Sequence, residues 1–195
     1  MLMVSGDPER VECELAAGVL RCPECGDRLA PWAYARRRNL RLDGGIEVRL
    51  RPRRGRCVGC LVTHVLLPDS MLVRRRDHVE VIGSALTAAA GGEVHRRIAK
   101  RLGVAESTVR GWLRRFRSRA TVIAGFFTQW ALVLAAELDP PDPVGTAVGD
   151  AVEAIGMATR AAVIRFGPNP AWPTAARLTG GGLLSNTSGL WIAPR

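Results

Sequence analysis

The stretch HRRIAKRLGVAESTVRGWLRRF, residues 95–116, has the pattern of two short helices joined by a tight turn. Ile98, Ala99 and Leu102 recur at helical spacing and give the first helix one apolar face. Ala99 is small, which permits two helices to cross closely. Gly103 follows where the turn requires a residue that tolerates positive φ, so it ends the first helix. The spacing therefore predicts a helix, a glycine turn and a second helix.

The second helix of this stretch begins with polar residues and then becomes amphipathic. Residues 106–108, Glu-Ser-Thr, are expected to supply capping oxygens and an acid near its positive end. Val109, Trp112 and Leu113 lie three and four apart and predict its buried stripe. The residues left facing outward are Ser107, Arg110, Gly111, Arg114 and Arg115.

Such an outward face suits the major groove of duplex DNA, and the whole stretch is typical of a helix-turn-helix. An ordinary amphipathic helical hairpin, whose charged side is only solvated, is the alternative. We favour DNA binding, with Arg110 and Arg114 as the residues that contact bases or phosphates. The predicted DNA-contacting residues are Ser107, Thr108, Arg110, Arg114, Arg115, Arg96 and Arg97.

The charge of the chain is large, positive and unevenly distributed. Its 195 residues contain 28 Lys+Arg and 18 Asp+Glu, for a net charge of +10. Residues 1–120 hold 24 basic and 13 acidic residues, whereas residues 121–195 hold 4 and 5. A basic part joined to a neutral part predicts a polyanion-binding region and a separate packing or partner-binding region.

Two Cys-x-x-Cys pairs, RCPECG and RCVGC, indicate a metal site. A two-residue spacing lets both thiolates of a pair point at one tetrahedral ion, and four cysteines close the coordination shell of a structural Zn²⁺. An iron–sulfur site and a redox dithiol are alternatives, although no βαβ unit accompanies the pairs as a redox motif requires. The predicted metal ligands are Cys22, Cys25, Cys57 and Cys60.

Short strands are predicted between the two cysteine pairs, at residues 29–35, 39–42 and 46–50, with a hairpin turn at Asp43-Gly44-Gly45. This is the plan of a zinc ribbon with an extended hairpin. Trp32 and Tyr34, two apart on one strand face, are expected to form its small core; the alternative is that they are stacking platforms. Of the remaining candidates near the metal, His64 is predicted to be a hydrogen-bonding or surface histidine and Cys13 a spare core thiol. The ribbon's arginines predict an auxiliary surface for the DNA backbone.

The predicted fold class is α+β, mostly α: a small β zinc ribbon, a three-helix helix-turn-helix domain and a C-terminal helical segment. Residues 78–90 are predicted to form the first helix of that domain, with Asp77 as its N-cap. Helices are also predicted at 122–138 and 144–166, and a last turn at 174–178. The predicted division is lead-in 1–20, zinc ribbon 21–70, helix-turn-helix domain 77–119, helical packing or oligomerisation segment 121–182 and tail 183–195, the tail being either docked or disordered.

No secretory signal or membrane span is apparent. The start MLMVSGDPERVECEL lacks a basic region followed by an apolar run. The most apolar stretch, residues 121–138, is short for a span and is interrupted by polar residues. We therefore expect a cytoplasmic, nucleoid-associated protein without a membrane partner, in which cysteines bind metal and do not form disulfides.

The order of these motifs resembles a class of bacterial insertion-sequence proteins that carry an N-terminal zinc ribbon followed by a helix-turn-helix. The resemblance lies in CPECG, in CVGCLVTHVLLP with the RRR that follows, and in HRRIAKRLGVAESTVRGWLRRF, and it covers about residues 20–120. It implies binding to transposon ends or to the promoter of the element. Similar modules also form the front end of complete transposases.

A complete transposase would continue with a ribonuclease-H-like domain that holds two metal ions between carboxylates from separated strands. Only 75 residues follow Ala120, and their pattern is helical, so no enzyme activity is expected. The predicted function is that of a non-catalytic, zinc-containing, sequence-specific DNA-binding protein, either a transposon accessory factor or a repressor. Its expected partners are double-stranded DNA, a second copy through the C-terminal helices and a separate transposase. The alternatives are an adaptor that recruits a protein through those helices and a truncated transposase remnant.

Overall fold

The protein is an α+β structure in which helices predominate, as the sequence predicts. This computed structural model describes residues 1–139 and 142–185. The strands are β1 (Leu2–Val4), β2 (Leu29–Tyr34), β3 (Arg38–Arg41), β4 (Glu47–Leu50), β5 (Arg53–Cys57) and β6 (Thr63–Pro68). The helices are α1 (Pro8–Ala16), α2 (Val79–Ala90), α3 (His95–Leu102), α4 (Glu106–Arg117), α5 (Ala120–Leu134), α6 (Ala147–Phe166) and α7 (Ala171–Leu178).

The strands form two small sheets. The larger has the order β1–β6–β5–β2, with β1 parallel to β6 and the other neighbours antiparallel. The sequence pattern predicted β2, β3 and β4 but gave no signal for β1, β5 or β6. Strand β5 reads RRGRC and has no apolar alternation, yet it pairs on both sides. Strand β5 is positioned by its backbone pairing with β2 and β6 and by the cysteine cluster at its end. Neither of these determinants produces a hydrophobic pattern in the sequence.

The second sheet is the predicted hairpin, β3 paired antiparallel to β4. Its turn requires glycine, because Gly44 and Gly45 have φ of +66° and +78°. Leu40 is opposite Val48 in the register, and this face packs on Leu67 in a small satellite core. The predicted hairpin and its turn are confirmed.

Helices α3 and α4 meet at the predicted turn. Gly103 ends α3 in the left-handed conformation, with φ of +62°, and its backbone position is therefore best suited to glycine. The predicted apolar residues of both helices are all buried, namely Ile98, Ala99, Leu102, Val109, Trp112 and Leu113. Helix α2 contacts both α3 and α4, so three helices enclose this apolar centre.

Helices α5, α6 and α7 share one continuous core with α2–α4. The core extends in sequence from Leu72 to Leu184, and its closest helix pair is α5 with α6. Helix α5 ends at Leu134, four residues before the predicted end, because Ala135 adopts an extended backbone. Helix α6 begins later than predicted, after Thr146, whose hydroxyl accepts a hydrogen bond from the Gly149 amide at 3.0 Å.

The last part of the described chain is docked against the body of the protein. Leu183 and Leu184 are buried, and the Leu184 carbonyl accepts a hydrogen bond from Arg75 at 2.9 Å. The docked form of the tail is thus observed for residues 183–185, and the rest of the predicted tail lies outside the described residues. The predicted last turn at 174–178 is the second half of α7.

The predicted helix caps are wrong in two places. Asp77 does not cap α2; it is buried and pairs with Arg41, with 2.6 Å between Arg41 Nε and Asp77 Oδ1. The next residue, His78, caps the helix through Nδ1, which accepts from the Glu80 amide at 3.2 Å. Helix α4 receives no side-chain cap, because the N-cap position is Ala105. In the first case, the Asp77 carboxylate pairs with Arg41, which is distant in sequence, and so it is not used as a helix cap.

Three side chains predicted to be buried are exposed. Trp32 is 55% exposed and Tyr34 is 50% exposed, so neither forms the ribbon core. That core consists of other residues, among them Leu15 of α1 and Leu29 of β2. Helix α1 contributes Val11 and Leu15 to this core. Cys13, on the same helix, is also exposed and is not a core thiol.

Within the described residues, none of the helices combines the length and the apolar character that crossing a bilayer requires.

We expect Gly83→Ala to destabilise the protein by about 1–3 kcal/mol, the usual cost of overpacking a core. A Cβ at Gly83 would lie 2.2 Å from the ring of Trp172, so α7 would have to move away from α2. Gly125→Ala, in α5, is the matched control because no atom lies within 4 Å of its added Cβ. Helix propensity should make this control neutral or stabilising by up to about 1 kcal/mol. Urea unfolding of both variants measures the difference, and equal midpoints would contradict the packing interpretation.

We also expect the free energy of unfolding to decrease as the pH falls through about 6.5, the ordinary pKa of histidine. Burial lowers the pKa of His78, so protonation favours the unfolded chain. Protonation of Nδ1 also removes the cap of α2, worth about 1 kcal/mol. His78→Asn keeps a capping acceptor and removes the titration, so denaturation between pH 7.5 and 5.5 should be less pH-dependent in this variant. The remaining dependence includes His64, whose pKa burial also lowers. An unchanged pH profile in His78→Asn would contradict the assignment.

Candidate metal centre and basic helical surface

The four cysteines of the two Cys-x-x-Cys pairs come together at one end of the larger sheet. Cys22 and Cys25 precede β2, Cys57 ends β5, and Cys60 lies in the loop that leads to β6. Their sulfur atoms all lie within 4.8 Å of one another. The Sγ atoms of Cys22 and Cys60 are 3.7 Å apart, and those of Cys25 and Cys57 are 3.4 Å apart. A tetrahedral ion with Zn–S bonds of about 2.3 Å would place its sulfurs about 3.8 Å apart. The cluster is therefore compatible with a metal ion.

Each cysteine pair lies on a tight backbone turn that directs both sulfurs inward. In the first pair, the Gly26 amide donates to the Cys22 carbonyl at 2.9 Å, and Gly26 has φ of +79°. In the second pair, the Cys57 amide donates to the Val62 carbonyl at 2.9 Å, and Leu61 has φ of +63°. A left-handed leucine costs free energy, which the surrounding geometry must offset. The strained residue directly follows Cys60, so the strain lies in the loop that positions this sulfur in the cluster.

The electrostatics of the cluster also favour a cation. Burial raises the pKa of the Cys57 thiol, but hydrogen bonds from the Cys60 amide, the Cys25 side chain and the Gly59 amide outweigh burial and bring its pKa to about 7. A backbone hydrogen bond at Val62 lowers the pKa of Cys60, but burial and the neighbouring cysteines raise it to about 12. Four thiolates this close repel one another, so all four ionise together only around a positive ion.

His64 is a fifth polar group at the cluster. It is buried, and its Nε2 lies 3.3 Å from the Cys22 sulfur. The prediction of a hydrogen-bonding histidine is confirmed, and the alternative of a surface histidine is wrong. A ring nitrogen beside a ligand sulfur is the kind of contact that orients a ligand and adjusts its basicity.

Some of the predicted DNA-contacting residues of α4 are exposed, and others are half-buried or hydrogen-bonded within the helix. Ser107, Arg110 and Arg114 of α4 are exposed on one side of that helix. Thr108 is half-buried. Arg115 is also half-buried, and it donates to the Gly111 carbonyl at 3.0 Å within its own helix.

The other two predicted contacts, Arg96 and Arg97, are exposed at the start of α3. Glu106 joins the beginnings of the two helices: its Oε1 lies 2.9 Å from His95 Nε2 and 3.4 Å from Arg96 Nε. The local sequence pattern predicts for Glu106 only a role at the start of α4, through capping or the helix dipole. Its contact with α3 depends on tertiary geometry, which the local pattern does not contain. The structure thus brings the starts of α3 and α4 together, with basic side chains around them.

Comparison with known proteins gives one family match. A family model described as a domain of unknown function (DUF6431) matches residues 22–112. The matched segment begins at the first cysteine of the cluster and ends at Trp112 in α4. No curated protein and no solved structure matches the chain.

We expect Cys57→Ser to abolish stable metal binding, because it removes one of the four ligands. A structural ion contributes on the order of 10 kcal/mol to folding, so residues 20–68 should become sensitive to protease while the helical circular dichroism of α2–α7 is largely retained. Cys13→Ser is the matched control, since Cys13 is exposed and lies outside the cluster. It should retain one ion per chain by elemental analysis. Intact protease resistance after chelation of the wild type would contradict a structural role for the metal.

Proposed function

We propose that this protein is a non-catalytic, zinc-containing protein that binds double-stranded DNA sequence-specifically. The observation that carries the proposal is the arrangement of α3 and α4. A left-handed glycine turn joins the two helices, their starts lie side by side, and the second helix exposes Ser107, Arg110 and Arg114. This arrangement supports a helix-turn-helix whose second helix would enter the major groove. Arg110 and Arg114 would contact bases or phosphates, and Arg96, Arg97 and Arg115 would add backbone contacts.

Zinc is the metal that the donor set favours. Four thiolates from two turns would form a closed tetrahedral shell with no open position for a substrate, which is the usual composition of a structural zinc site. The ion would hold β2 and β5 in the form of a zinc ribbon. An iron–sulfur cluster uses the same ligands, so elemental analysis and the absorption spectrum of the purified protein distinguish the two.

The resemblance to insertion-sequence proteins suggests which DNA would be bound. We propose that the protein is a transposon accessory factor or a transcriptional repressor, acting at the nucleoid with a separate transposase as the cleavage enzyme. The family match over residues 22–112 covers both cysteine pairs and residues 95–112 of the helical stretch, although it assigns them no function.

The C-terminal helices suggest a second copy of the chain as a further partner. Exposed apolar side chains on α5 and α6 include Val133 and Ile164, at 57% and 63% exposure. One helix-turn-helix contacts only a few base pairs, and dimers commonly bind two half-sites. The same exposed side chains favour the second candidate function, an adaptor that recruits a different protein.

A binding selection from random duplex DNA with the zinc-loaded protein tests the proposal. We expect a defined motif to be enriched, and an inverted repeat would indicate a dimer. Arg110→Ala should relax the preference at one position of that motif, since a bidentate Arg–guanine pair contributes about 1–3 kcal/mol of discrimination. Arg165→Ala, an exposed arginine of α6, is the matched control and should leave the motif unchanged.

Three outcomes would count against the proposal. Retention of DNA without any motif would indicate a nonspecific binder, and an unchanged motif in Arg110→Ala would remove α4 from base recognition. Absence of binding would favour the adaptor. Salt dependence separates the candidates further, because binding through several phosphates weakens steeply with salt and an apolar protein interface does not.

A further inference from the structure

The two exposed aromatic residues of β2 form the most unusual surface outside the metal centre and α4. Trp32 and Tyr34 each expose at least half of their surface, on an edge strand of the larger sheet. A register shift between Pro31 and Ala33 places Trp32 at an irregularity of the strand. Two large exposed aromatics on one edge strand are informative, because a monomer gains nothing from leaving them in water.

Arginine guanidinium groups lie close to both rings, although each aromatic residue remains at least half exposed. The Arg56 guanidinium lies 4.7 Å from the centroid of the Trp32 ring. Those of Arg53 and Arg51 lie 4.6 and 5.1 Å from the centroid of Tyr34. Such cation–π contacts hold the arginines at the rings without neutralising their charge. Arg53 also pairs with Glu12 at 2.6 Å, whereas Arg51 has no carboxylate within 4.0 Å among the described residues.

Tyr34 also lines a cleft between α1 and the β3–β4 hairpin, with a volume of about 430 Å³. Apolar residues that include Val11 and Leu66 contribute to its wall. Arg49 and Arg51 add positive charge, and Glu9 and Glu12 of α1 add negative charge. This volume falls in the range of sites that hold small ligands or single side groups of a larger one. The cleft therefore combines an aromatic ring, an apolar lining and guanidinium groups.

We propose that this aromatic–arginine surface binds unpaired nucleotides of a single-stranded nucleic acid. The surface is defined by Trp32, Tyr34, Arg49, Arg51, Arg53 and Arg56. Every base has a flat face that stacks on an aromatic ring, and every nucleotide carries a phosphate that accepts hydrogen bonds from guanidinium. The inference goes beyond duplex recognition by α4, since none of these residues lies on that helix.

Charge favours a nucleic acid over a protein as the occupant. Residues 21–60 contain eleven arginines and four acidic residues, so the surroundings of the two rings are strongly basic. Trp, Tyr and Arg are also common at protein interfaces, but a protein partner would have to supply many carboxylates to match this charge. A single strand supplies one negative charge for each nucleotide.

Fluorescence anisotropy of a labelled twelve-nucleotide oligothymidine, titrated with the full metal-loaded chain, tests the inference. We expect saturable binding that weakens as salt is added. Trp32→Ala and Tyr34→Ala should each weaken it roughly 5- to 100-fold, the range for loss of one stacked base. Trp32→Phe and Tyr34→Phe keep a stacking ring and should retain most of the affinity. Phe166→Ala, which removes an exposed aromatic of α6, is the matched control.

Metal content and circular dichroism establish that each variant is folded. No saturable binding by the wild type, or unchanged affinity in both alanine variants, would overturn the inference. Binding of polyglutamate that depends on Trp32, in place of the oligonucleotide, would identify a surface for acidic proteins and would overturn it as well. The duplex selection depends on α4, so failure of either experiment leaves the other informative.

Discussion

The convergence of four cysteine sulfurs is the constraint on which the N-terminal half depends. The apolar cores of this half are small: one centres on Leu15, Leu29 and Leu66, and the other on Leu40 and Met71. Cores of this size rarely stabilise a sheet alone. The cluster joins the loop before β2 to the end of β5, which is the pairing that sets the register of the larger sheet. An ion bound there would stabilise the sheet and fix the positions of the exposed arginines on it.

A buried ion pair then connects this half to the helices. Arg41, at the end of β3, pairs with Asp77 just before α2, and the Arg41 amide donates to the Arg76 carbonyl at 2.7 Å. The His78 amide donates back to the Arg41 carbonyl at 2.8 Å. At the tip of the same hairpin, Gly44 and Gly45 lie against Gly103 in the turn between α3 and α4. Both contacts lie at the turn end of the hairpin, because Arg41 is the last residue of β3 before the turn, and they hold this end against the helical part.

Sequence reasoning was accurate where the determinants are local. The glycine turn at Gly103, the apolar stripes of α3 and α4 and the β3–β4 hairpin follow from spacing within about ten residues, and the structure has all three. The clustering of the four cysteines was predicted because Cys-x-x-Cys spacing carries chemical meaning on its own, and their sulfurs do come together. The errors arose where distant segments compete. Trp32 and Tyr34 have the alternation of a buried strand face, but a register shift interrupts the strand at Trp32 and α1 supplies Val11 and Leu15 to the core. A pattern within β2 cannot indicate this. Asp77 has the form of an N-cap, but Arg41, distant in sequence, uses its carboxylate instead.

The C-terminal helices restrict the movement of α4, which the sequence of α4 alone does not indicate. Phe116, near the end of α4, and Ile123 and Phe127 of α5 belong to the same core as Ile82 of α2. Only Ser118 and Arg119 separate α4 from α5, so the two helices cannot reorient independently without exposing that core. Helices α5 and α6 therefore hold α4 in place from its buried side. A helix that is already rigid loses less conformational entropy when it binds a partner. A partner that binds the exposed side of α5 or α6 would act on the same core, and through it on the helix that we propose enters the DNA groove.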